Sequence, residues 1–235
     1  MLTLEKDEKF TNPFYVKDCV LAPLATGIKA QTLAEFRDCL KIIPVECIYY
    51  HFWRQSIETS LIQGSFFNDF SNWVHYSLHD DILAERLAVI DPSYNENLED
   101  LRLDLLDVVE DKIIEEEMST QLYATETFHF IKSNIIIFNT SYKMEHPKDL
   151  VKIIPAISRS SIFYHFIDAR RREVIKLDDF SKWLRGFNNE FDTLVDRFKQ
   201  IDPYFTSLSD LQKKLSLEVS KYFFENCEVK GDFHE

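Results

Sequence analysis

An internal duplication constrains this chain more than any other feature. Ile48-Tyr49-Tyr50-His51-Phe52 returns as Ile162-Phe163-Tyr164-His165-Phe166. Residues 14–52 align without gaps on 128–166, and Phe14, Thr26, Lys29 and Ile43 recur as Phe128, Thr140, Lys143 and Ile157. Asn68-Asp69-Phe70-Ser71-Asn72-Trp73 then becomes Asp178-Asp179-Phe180-Ser181-Lys182-Trp183, and Ile90-Asp91-Pro92 becomes Ile201-Asp202-Pro203. The shift is 114 residues in the first block and 110 or 111 in the second. Such a period is domain-sized and exceeds the roughly 20–50 residues of solenoid repeats. The chain must therefore build one kind of unit twice.

Each unit reads mainly as helix. Thr32 with Glu35 three residues on forms a capping box, and Leu33, Phe36, Leu40 and Ile43 follow helical spacing up to Pro44. The Ile-Tyr-Tyr-His-Phe helix comes next and runs to about Leu61, followed by a turn around Gly64. Asn68 or Asp69 caps the helix carrying Phe70 and Trp73, and Asp80 or Asp81 caps another. Leu98, Leu101, Leu105, Val108 and Val109 line one face of a long helix. Asp18 and Ser133 are read as caps of the segments that follow them, Gly27 as the end of the first of these, and Ser161 as a hydroxyl cap of the second aromatic helix. The expected fold is an all-α tandem duplication, with a short extended lead-in at Phe14–Val16 and Phe128–Ile131. The β-rich run Ile135-Ile136-Ile137-Phe138 stands against a purely helical reading. The expected organisation is an arm over 1–13, a unit over 14–117, a linker over 118–127, a second unit over 128–225 and a tail over 226–235.

Composition narrows the function classes. Apolar residues make up 45% and charged residues 29%, a globular balance, and only 4 glycines argue against Gly-rich phosphate loops. No stretch approaches a membrane span and the start lacks a signal-peptide pattern, so a cytoplasmic protein is expected. Cys19, Cys39, Cys47 and Cys227 show no C-x-x-C pairing and read as free thiols. The net charge is −13, and residues 1–117 carry all of it, with 10 Lys/Arg against 23 Asp/Glu. This disfavours a nucleic-acid binder and leaves room for a basic protein partner.

No motif specifies a reaction, a cofactor or a metal. His51 and His165 are candidate bases or ligands, with a buried, hydrogen-bonded histidine beside Tyr50 or Tyr164 as the preferred reading. His75 and His79 lie one helical turn apart but lack the Glu of H-E-x-x-H, and Glu126-Thr127-Phe128-His129 matches a di-iron spacing only once. Arg170-Arg171-Arg172 is a candidate anion grip, against a solvated face. Lys29 and Lys143 sit in turns that suggest weak anion binding. Arg86 and Arg197 are expected to pair with Asp91 and Asp202 and so fix the turns before Pro92 and Pro203.

The motifs Ala25-Thr26-Gly27-Ile28-Lys29-Ala30, Leu33-Ala34-Glu35-Phe36, Ile48-Tyr49-Tyr50-His51-Phe52, Asn68-Asp69-Phe70 with Trp73, and Leu83-Ala84-Glu85-Arg86-Leu87 leading into Ile90-Asp91-Pro92 resemble a bacterial family of unknown function. The second unit departs from it at Thr140-Ser141-Tyr142-Lys143, where the glycine is lost. The resemblance implies no activity. The leading expectation is a non-catalytic protein-binding or adaptor module whose association weakens at high salt. The alternative is a small-molecule binder or enzyme using a pocket of Tyr50, His51 and Lys29. A helical wheel places Ile48, Tyr49, Phe52 and Trp53 on one face with Tyr50 and His51 opposite, which implies a central helix packed on most sides.

Overall fold

Extended backbone begins each repeat. The structure, a computed structural model, describes residues 12–57, 66–93, 95, 97–115, 123–172 and 175–229. Strand β1 covers Phe14–Thr32 and strand β2 covers Tyr123–Met144, and the two pair in a two-stranded sheet. The pairing is antiparallel: Thr26 on β1 meets Phe130 on β2, and Val16 meets Thr140. The expected all-α fold is therefore corrected to mixed α/β. The lead-ins are long strands, and the run Ile135–Phe138 lies within β2, where β-branched side chains avoid the crowding they meet in a helix. Asp18 and Ser133 are strand residues rather than caps. Gly27 ends no helix; it sits inside β1 at φ 78°. A Cβ there meets no atom within 4 Å, so only the left-handed backbone asks for glycine.

The helices follow the capping chemistry. In the first repeat they are α1 (Leu33–Ile42), α2 (Val45–Ile57), α3 (Asp69–Trp73), α4 (Asp81–Ala88) and α5 (Leu98–Glu115). A π-helical turn, Val74–Leu78, continues α3. Thr32, Asn68 and Asp80 accept the N–H of Glu35, Ser71 and Leu83 at 3.1, 2.8 and 3.0 Å. The capping box is displaced by one residue, since Glu35 takes the N–H of Gln31 at 2.8 Å. In the second repeat a 3-10 turn (Pro147–Asp149) leads into α6 (Leu150–Ile153), α7 (Arg159–Ile162) and α8 (Ala169–Arg172), with a π-helical stretch Phe163–Asp168 between the last two. There follow α9 (Asp179–Arg185), α10 (Asp192–Lys199) and α11 (Leu208–Val229). The hydroxyl that caps α7 belongs to Ser158, which accepts the N–H of Ser161 at 2.9 Å, and not to Ser161 itself.

The chain divides into two compact units: unit A, residues 20–136, and unit B, residues 1–19 with 137–235. Each unit takes one repeat's helices together with the leading stretch of the other repeat's strand. In unit A, α1, α2 and α4 pack against α5. In unit B, α6, α7 and α10 pack against α11. The aromatic helix is the axis of both: Cys47–Trp53 in α2 and Ser161–Ala169 in the second repeat are buried residue by residue. The end of α2 beyond Ile57, the turn around Gly64, most of the expected arm, half of the expected linker and most of the tail lie outside the described residues.

Candidate functional site

Where the two strands meet the helices, the repeated residues converge. In unit A, Phe128 on β2 enters a nest of rings, with centroids 4.8 Å from His51, 5.5 Å from Phe36 and Trp73, and 5.6 Å from Phe70. The backbone is read on either side of it. The Trp73 indole N–H donates to the Glu126 carbonyl at 2.7 Å, and the Ile131 N–H donates to His51 Nε2 at 3.0 Å. An amide N–H only donates, so Nε2 must accept and the imidazole proton sits on Nδ1. Nδ1–H then donates to Asp69 at 2.9 Å. Asp69 also receives Arg54 through Nε and Nη2 at 3.0 and 2.9 Å and Gln55 at 2.8 Å.

Unit B repeats this with other residues. Phe14 on β1 lies 4.9 Å from His165, 5.4 Å from Phe180 and 5.6 Å from Trp183. Trp183 donates to the Asn12 carbonyl at 3.0 Å, the Lys17 N–H donates to His165 Nε2 at 2.8 Å, and His165 Nδ1–H donates to Asp179 at 2.7 Å. Arg172 stands in for Arg54, donating to Asp179 at 3.1 Å. Both arginines also lie over the tyrosine that precedes the histidine, Arg54 at 6.0 Å from Tyr50 and Arg172 at 4.2 Å from Tyr164.

The electrostatics follow from burial. His51 is 3% exposed, and burial lowers its pKa against the pull of Asp69. Burial alone raises the Asp69 carboxyl, but its bonds to His51 and Arg54 outweigh that and hold it at about 2. Asp179 is likewise held low against burial by His165 and Arg172. Both histidine nitrogens are occupied, one by a strand amide and one by a carboxylate. Neither is open to a substrate proton or a metal in this arrangement. The motif is a clasp for an extended strand.

The other candidates fall elsewhere. Lys29 is exposed on β1, and Lys143 on β2 pairs with Glu145 at 2.7 Å. The supposed anion turns are strand segments. Thr26 and Thr140 donate to the Phe130 and Val16 carbonyls and accept the N–H of Ile28 and Tyr142. Arg86 pairs with Glu115 at 2.9 Å and Arg197 with Glu225 at 2.7 Å, so the expected pairs with Asp91 and Asp202 are not the ones formed. Those two aspartates instead accept the backbone N–H of Ser93 and Tyr204, each at 2.8 Å. Arg170 lies 4.2 Å over the Phe166 ring, while Arg171 and Arg172 both bind the buried Asp168 at 2.9 and 2.8 Å. His75 pairs with Asp81 at 2.7 Å, and among the described residues no cluster of three or more His, Cys, Asp or Glu fits a metal. Burial raises the thiols of Cys19 and Cys47 to about 12 and about 11.

Beside the clasp, unit A holds an open cavity of about 460 Å³, lined by Tyr50, Arg54, Asp69, Tyr76, Glu126 and His129 among others. The sequence points to Tyr50 and His51 there; it reads Asp69 only as a helix cap, and Glu126 and His129 only as an incomplete di-iron spacing. The repeated Asn-Asp-Phe-x-x-Trp string is the signal for Asp69, whose role as clasp appears only when β2 is in place.

A pair of long strands, each clasped by a His-Asp-Trp set on a helical unit, defines the class: a duplicated α/β protein with exchanged strands. The chain belongs to the family of unknown function DUF5752, whose match covers residues 11–219. OrfY from Thermoproteus tenax is similar in structure, with a TM-score of 0.77 and 25% identity over 92% of this chain and 98% of that one. No curated protein matches. Among the described residues, no helix is long and apolar enough to cross a membrane.

Proposed function

We propose that this protein is a cytoplasmic, non-catalytic protein-binding module whose strands carry the docking surface. One observation supports the reading most. Ten residues without a charge, 19–28, lie in β1, and ten more, 133–142, lie in β2. In unit A this stretch exposes Val20 at 49%, Leu24 at 41% and Ile136 at 53%. In unit B it exposes Ile137 at 45% and Phe138 at 49%. A two-stranded sheet is marginal in water without an apolar face covered, so a surface of this kind favours a protein partner. The acidic first half adds long-range attraction for a partner with a basic rim. The free cysteines Cys19, Cys39 and Cys47 suit a reducing cytoplasm.

The test is affinity recovery from source cells at low salt with the full chain and with a Leu24→Glu, Ile136→Glu variant. A stoichiometric protein partner held by the wild type and lost by the variant is expected. Recovery of no partner, or of the same partner by both chains, refutes the reading. The cavity of unit A favours a second reading, a small polar ligand beside Tyr50 and Tyr76. Thermal-shift screening with metabolites separates the two, because a ligand of the folded state raises Tm. No shift across the set removes it.

A further inference from the structure

The clasp is the same in both units, but its surroundings are not. Tyr50, His51, Asp69, Trp73 and Phe128 have Tyr164, His165, Asp179, Trp183 and Phe14 at the aligned positions. Four other residues of the unit A cavity do not follow. Where Tyr76, Ser77, Glu126 and His129 stand, the other repeat carries Gly186, Phe187, Asn12 and Tyr15. Unit B closes its clasp without those four side chains, so the clasp does not require them. Glu126 shows the same separation within one residue. It serves Trp73 through its backbone carbonyl, which leaves the carboxylate to the cavity. Phe187 shows what the change does to space. Its ring lies 5.3 Å from Trp183, at the place that the small Ser77 takes after Trp73.

The cavity also has a sign. Of its two carboxylates, Asp69 is neutralised by Arg54 through bonds of 3.0 and 2.9 Å. Among the described residues, no ion pair engages the exposed Glu126 carboxylate. A negative charge therefore stands uncompensated in the lining, together with the Tyr76 ring, which is 49% exposed. A carboxylate with an aromatic face is the chemistry that receives an organic cation, by a charge-assisted hydrogen bond and by attraction to the ring quadrupole. A volume of about 460 Å³ is of the size that takes a small molecule.

We infer that the unit A cavity is a binding site for a small organic cation, an amine or guanidinium compound, with Glu126 as its counter-charge and Tyr76 as an aromatic wall. This site rests on the small-ligand reading of the same cavity and names the class of that ligand. There is one such site per chain, since unit B carries Asn12 and Gly186 in place of the carboxylate and the ring.

Calorimetric titration of the full chain with tyramine and with agmatine tests it. The control is para-hydroxyphenylacetate, which has the ring of tyramine and the opposite charge. Saturable binding of an amine at one site per chain is expected, with the acid about tenfold weaker or more. Glu126→Gln is expected to weaken amine binding about tenfold, because a charge-assisted bond is lost. The fold is kept, since Trp73 binds the backbone of Glu126 and the side chain is exposed. Tyr76→Ala weakens the amine as well. Equal affinity for amine and acid, unchanged amine binding by either variant, or two sites per chain overturns the inference. If neither amine binds while the metabolite screen yields a Tm shift with another class, the cation is refuted and the small-ligand reading stands. Silence of the amines and of the whole screen removes both.

Discussion

His51→Phe tests the clasp most directly. Phenylalanine keeps a ring among Phe70 and Phe128, whose centroids lie 5.3 and 4.8 Å from the imidazole, so packing is largely retained. It removes two hydrogen bonds, the one accepted from the Ile131 N–H and the one donated to Asp69. An orphaned buried N–H costs about 1–3 kcal/mol, and a bond to a charged acceptor contributes about 1.5–3 kcal/mol. Asp69 keeps Arg54 and Gln55, so no buried charge is left unpaired. The expected loss is about 3–5 kcal/mol, which makes the Ile131 amide exchange with solvent about a hundredfold faster or more. Hydrogen exchange resolved at that amide is the assay. The variant also changes the pH dependence. The folded pKa of His51 lies below the 6.5 of the free group, so the unfolded chain binds the extra proton and stability falls as pH drops below 6.5. One proton sets an upper limit of about 1.4 kcal/mol per pH unit on this slope, and the variant lacks the contribution. The groups facing His51 are Asp69 and Arg54, both charged throughout this range, with Glu126 and His129 further along the cavity lining. An Ile131 amide exchanging at the wild-type rate, together with an unchanged pH profile, refutes the reasoning.

Three further outcomes follow from the same geometry. Asp69 is held at about 2 against 3.8 for the free group, so its contribution is complete above pH 4 and is lost as pH falls toward 2. The full loss amounts to about 2–3 kcal/mol, of which about 1 kcal/mol falls between pH 6 and pH 3, and Asp69→Asn removes this dependence, as denaturant titrations at those two pH values will show. Arg172→Met deprives Asp168, which is 1% exposed, of one of its two arginines and Asp179 of its ion pair, and is expected to lower Tm with a loss of about 3 kcal/mol. Gly27→Ala meets no steric neighbour and costs only the left-handed backbone, about 1 kcal/mol by denaturant titration.

The duplication itself, the helix starts at Thr32, Asn68 and Asp80, and the burial of the aromatic helix were legible in the sequence. Each is written in local spacing: a repeated string, a capping residue, an apolar period. The residues of the site were legible as repeats, since His51, Asp69, Phe70, Trp73 and Phe128 all recur. Their joint role was not. Arg172 replaces Arg54 from a position one helical turn further on, so alignment alone does not connect them.

What the sequence determined by itself is that one unit is built twice around an Ile-Tyr-Tyr-His-Phe axis. What only the tertiary structure decided is that the short extended lead-ins expected at Phe14 and Phe128 are long paired strands and that each closes the other repeat's unit. The physical reason lies in distance along the chain. Thr26 and Phe130 are 104 residues apart, and Lys17 and His165 are 148 apart. An antiparallel ladder and a backbone N–H bonded to an imidazole leave no mark on local periodicity, because their partners are chosen by the folded surface and not by neighbouring residues.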